Sequence, residues 1–114
     1  MTELFPKNRL VQYTDPGVII DPNPSQGSVI VSTTSVQVRP VNDQRSGIII
    51  QNPLASTVSA YISVDGFPAV ADATRIELAP GATLSMTAPE PGTDLAIHAI
   101  TASGSVTLHY TEFT

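Results

Sequence analysis

From residue 28 to the end, the chain repeats one unit: a short run rich in β-branched residues, then a turn. Gly-Ile-Ile-Ile-Gln-Asn at 47–52, Thr-Val-Ser-Ala-Tyr-Ile-Ser-Val at 57–64 and Ser-Val-Thr-Leu-His-Tyr-Thr at 105–111 are the clearest cases. Runs of this length, bounded by Gly, Pro, Asn or Asp at close spacing, predict an all-β fold. No segment of useful length carries apolar residues at a helical period. Two antiparallel sheets packed as a sandwich, in Greek-key or jelly-roll order, follow as the economical architecture.

The segments 28–32, 35–40, 46–51, 57–64, 67–70, 75–78, 82–87, 95–100 and 105–112 supply about eight strands. Asn52-Pro53, Asp65-Gly66, Pro80-Gly81, Pro91-Gly92 and Ser103-Gly104 mark the joints. Alternation assigns faces. Val58, Ala60, Ile62 and Val64 fall on one side of their strand, and Ser59, Tyr61 and Ser63 on the other. Val36 and Val38 alternate with Gln37 and Arg39, and Ile76 and Leu78 flank Glu77. A two-residue hairpin at Asp65-Gly66 sets Val64 opposite Phe67 and Ile62 opposite Ala69. Two strands are apolar on both faces, Val29-Ile30-Val31 and Ile48-Ile49-Ile50. A sandwich strand covers one face with its own core, so Ile30 and Ile49 are expected at an interface.

Residues 1–27 read differently, as an extended arm preceding a domain at 28–114. Pro6, Pro16, Pro22 and Pro24 interrupt helix and ladder alike. Fully extended, 27 residues reach roughly 90 Å. Phe5, Tyr13, Val18, Ile19 and Ile20 are the arm residues expected to bury themselves on a neighbour.

Charge narrows the function. Charged residues make up 13% of the 114 residues, against about a quarter in a typical soluble domain. Such a β-domain is poorly defended at its edges when free, which favours assembly. A formal net charge of −5 argues against nucleic acid as partner. No apolar run approaches a membrane span, and the acid near the N-terminus with no apolar stretch behind it does not read as a secretory signal. The expected setting is a cytoplasm, or a particle assembled there.

Chemistry-bearing constellations are few. There is no cysteine, no phosphate-binding loop and no nucleophile elbow, and most carboxylates adjoin turns or chain ends. No cofactor, metal ion or catalytic role is expected. If Ser103-Gly104 is a hairpin tip, His98 falls opposite His109, close enough for two imidazoles to share a metal. Zinc needs three or four ligands, however, and the neighbouring positions offer none. Sugar recognition is the more serious rival to assembly. Tyr61 projects from a polar face and is the one plausible aromatic platform in a chain without Trp.

The run Arg-Ser-Gly-Ile-Ile-Ile-Gln-Asn-Pro-Leu-Ala-Ser-Thr-Val-Ser-Ala-Tyr-Ile-Ser-Val at 45–64 resembles small β-sandwich virion proteins of tailed bacteriophages. So do Arg-Ile-Glu-Leu-Ala-Pro-Gly-Ala-Thr-Leu-Ser-Met at 75–86 and Leu-Ala-Ile-His-Ala-Ile at 95–100. The resemblance covers about residues 45–112; segment 1–27 lies outside it. It implies a non-enzymatic decoration or cement protein on the capsid surface, or else a component of the neck or tail. The partners implied are the major capsid protein or other virion subunits and further copies of the same chain, a trimer above all.

Overall fold

A computed structural model describes residues 25–72 and 74–114. Eight strands follow in order: β1 (Ser25–Val31), β2 (Val36–Arg39), β3 (Gly47–Gln51), β4 (Ala60–Ser63), β5 (Ile76–Leu78), β6 (Thr83–Thr87), β7 (Ile97–Ile100) and β8 (Val106–Phe113). They form two antiparallel sheets, one ordered β1-β8-β3-β6 and the other β2-β7-β4-β5. That is the order of a jelly roll, in which most successive strands cross between sheets.

The expected alternation builds the core. Val31, Ile48, Ile50, Met86, Val106 and Leu108 of the first sheet face Val38, Ala60, Ile62, Leu78, Ile97 and Ala99 of the second. Burying such aliphatic side chains at about 25 cal/mol per Å² is what holds the two sheets together.

Four details differ from the sequence reading. Strand β1 begins at Ser25, so residues 25–27 belong to the sandwich and not to the arm. Residues 67–70 form no strand: β4 pairs with β5, setting Ile62 opposite Ile76 and Tyr61 opposite Glu77. The segment after β4 instead folds back across its own sheet. Ser63 Oγ lies 2.5 Å from Asp65 Oδ1 and 2.9 Å from Phe67 O, and Ala69 N donates to Ser35 Oγ beside β2. A hairpin satisfies the same apolar pattern, so periodicity alone could not separate the two. A bulge between Gln37 and Arg39 turns Arg39 inward, opposite Ile97, where simple alternation puts it outside. The fourth difference is the histidine pair, described below.

Gly27 shows how closely the edge is packed. It is the register partner of Tyr110, and a Cβ on it would lie 2.5 Å from the Tyr110 hydroxyl. Only the absence of a side chain leaves room for that ring.

Candidate functional site

The loops at the two ends of the sandwich differ in charge. The connections 40–46, 64–75 and 88–96 leave and re-enter the sheets at one end, the second of them running back over its own sheet as far as Ser35. They carry Asp43, Arg45, Asp65, Asp72, Arg75, Glu90 and Asp94. The opposite end, residues 32–35, 52–59, 79–82 and 101–105, carries no Asp, Glu, Lys or Arg. The outer face of the first sheet is equally bare. Its rows are Ile30–Thr107, Ser28–His109–Gln51–Thr83, Gln26–Thr111–Ile49–Ser85 and Phe113–Gly47–Thr87. Ile30 is 71% exposed and Ile49 37%, as expected of side chains that their own core does not cover. Leu54, 83% exposed, extends the apolar character onto the uncharged end. A β face of Thr, Ser, Gln and Ile presents hydroxyls and methyls to a partner and no ion to strip of water.

At the charged end, Glu112 fastens the sandwich. Its side chain is 2% exposed and faces between the sheets. Arg39 Nε donates to Oε1 at 2.8 Å, Asn42 Nδ2 donates to Oε2 at 3.2 Å, and Arg45 Nε donates to Oε2 at close range. Arg45, fully buried, also donates to the carbonyls of Thr93, Leu95 and Pro40. Arg39 reaches the Tyr110 hydroxyl at 3.1 Å, with its guanidinium carbon 4.8 Å from the ring centre. Burial by itself would raise the Glu112 carboxyl, but the hydrogen bonds from Arg45, Arg39 and Asn42 outweigh it and hold the group below its ordinary value. Every donor near the carboxylate is spoken for, so the cluster is a structural clasp with no free group for chemistry.

The second sheet's outer face holds an open cleft of about 210 Å³. Tyr61 and Glu77, register neighbours on β4 and β5, form its floor. Thr57, Val58 and Ser59 wall one side, and Ala102 and Ser103 the other. Asn52, wholly buried, fixes the first wall: Nδ2 donates to Val58 O at 2.9 Å and to Leu78 O at 2.7 Å, while Oδ1 accepts from Ser56 Oγ. Thr101 fixes the second, its hydroxyl donating to Gly104 O at 2.8 Å.

No protein-family model, curated protein or solved structure matches the chain.

The structure separates the histidines. His98 lies on β7 between Gln37 and Ser63, and His109 lies on β8 between Ser28 and Gln51, so they sit in different sheets and cannot share a metal. The expected hairpin at Ser103-Gly104 is instead a crossing between sheets. Both arrangements turn Ile97, Ala99 and Leu108 inward, which is why face parity did not distinguish them. His98 lies beneath the returning segment after β4, and its Nδ1 is buried without a hydrogen bond among the described residues. Among those residues, no group of three or more His, Cys, Asp or Glu side chains is placed to hold a metal. Phe5, Tyr13, Val18, Ile19 and Ile20 lie outside the described residues.

Proposed function

We propose that this chain is a non-enzymatic structural subunit of a tailed-phage virion, a decoration or cement protein covering the capsid shell. The observation that carries the reading is the uncharged outer face of the β1-β8-β3-β6 sheet, continuous with an uncharged end of the sandwich. Contacts to the shell or to sister subunits form there by burying Ile30, Ile49 and the threonine methyls, with hydroxyls pairing at the rim. The arm, with Val18, Ile19 and Ile20, adds a second attachment, and repetition over a lattice multiplies both.

Light scattering of the full chain tests the face. The wild-type protein is expected as a homo-oligomer, a trimer above all. Ile49→Lys combined with Thr111→Glu should give monomers that keep the wild-type β circular-dichroism spectrum, because both side chains point away from the core. An oligomer whose mass survives the double substitution, or a wild-type chain that is monomeric at every concentration, overturns the proposed contact.

A further inference from the structure

Glu77 is out of place. Every other charged residue among those described lies in, or points into, the charged end of the sandwich; Glu77 alone sits in mid-strand, two positions beyond Arg75 and opposite Tyr61. Among the described residues its carboxylate makes no hydrogen bond or ion pair, and neither does the Tyr61 hydroxyl beside it. Both face the cleft. We propose that this cleft binds one neutral hexopyranose ring, with Tyr61 as the stacking platform and Glu77 as acceptor for a pair of sugar hydroxyls.

The lining matches what such a ring presents. A pyranose has an apolar C–H face, which lies well on an aromatic ring, and a girdle of hydroxyls that need acceptors and donors. Tyr61, half-buried, is the aromatic group of the lining, and Glu77, Thr57, Ser59 and Ser103 are its polar groups. Size agrees too. At about 210 Å³ the cleft is below the ~300 Å³ from which drug-sized ligands are enclosed. It therefore takes a terminal ring or one unit of an extended glycan. The walls are held in place by Asn52 and Thr101, so little ordering is needed on binding.

Charge selects among sugars. An unpaired carboxylate on the floor, in a chain of net charge −5, repels uronic and sialic acids and favours uncharged rings. One aromatic and one acid in an open cleft give weak binding, with a dissociation constant on the order of 1–10 mM per ring. The cleft and the uncharged face lie on opposite sheets, so a subunit seated on a particle by its first sheet keeps the cleft open to solution. The sugar site does not depend on that seating, and the isolated chain suffices to test it.

The test is an amide NMR titration of the full-length protein with glucose, galactose, mannose and N-acetylglucosamine. Glucuronic and N-acetylneuraminic acids serve as anionic comparisons. At least one neutral sugar should shift the amides of Ser59, Tyr61, Glu77 and Ser103 saturably, and the two acids should not. Tyr61→Ala should weaken that binding by more than about tenfold while the remaining spectrum stays in place. Glu77→Gln should weaken it several-fold, since an amide keeps one acceptor where the carboxylate has two. Absence of a saturable shift with all four sugars overturns the site. So do shifts located elsewhere, shifts indifferent to Tyr61→Ala, or equal binding of the acids.

Discussion

Glu112→Gln is expected to remove about 3–5 kcal/mol of stability, because it leaves Arg45 buried beside a neutral amide. Arg45 is fully buried and cannot swing out to water. The glutamine would also bring its own N–H groups toward donors from Arg39, Asn42 and Arg45, where the carboxylate only accepts. For a domain of this size, with about 0.05–0.15 kcal/mol per residue in hand, the loss is a large fraction of the total. Urea denaturation at neutral pH measures it. The pH dependence gives a second, independent readout. The folded-state carboxyl sits below its ordinary value of 4.5, so its contribution is complete above that pH. It fades as pH falls through the depressed folded value. Asp65 is held low by hydrogen bonds from Ser63 and Phe67, and Asp72 by those from Thr74, so some acid destabilisation remains in any variant. The slope should nevertheless be shallower in Glu112→Gln than in the wild type. Equal slopes would mean that Glu112 is not the group being titrated.

Asn52→Ala is expected to cost about 2–4 kcal/mol, since it strands two carbonyls that Asn52 now satisfies. The backbone of Asn52 is engaged as well, donating to Ala82 O at 3.0 Å and accepting from Gly81 N at 2.8 Å. The side chain thus joins loop 52–59 to β5 while its backbone holds the 79–82 turn. Asn52→Asp should be worse than alanine, because it points a buried anion at the Val58 and Leu78 oxygens. Thermal melts rank the three proteins, and hydrogen exchange should show protection lost first around residues 56–59 and 79–82. An aspartate variant as stable as the wild type would show that Nδ2 does not hold these carbonyls.

The two-sheet architecture was legible in the sequence because period-2 alternation depends only on which face is buried. What the pattern could not carry was partnership. His98 and Ile62 keep the same facing whether their strands pair with the next strand in the chain or with a distant one. One further feature is legible in the pattern itself. Glu112 shares its face with Val106, Leu108 and Tyr110, so parity alone places a carboxylate in the core, where it demands a cationic partner. Alternation with Ile76 and Leu78 turns Glu77 outward, but its adjacency to Tyr61 depends on a register that no local turn specifies. Arg39 is the reverse case: the bulge that turns it inward leaves no mark in residues 36–39.

The absence of ions from the outer face of the first sheet, among the described residues, fixes how contacts made there respond to the medium. An interface built on the bare sheet releases no bound counter-ions and has no pair for salt to screen. Sodium chloride therefore leaves it largely intact, whereas sulfate or phosphate, which strengthen apolar burial, tighten it. In the proposed role, a coat joined this way would keep its seams through the swings in ionic strength between a cell's interior and dilute water.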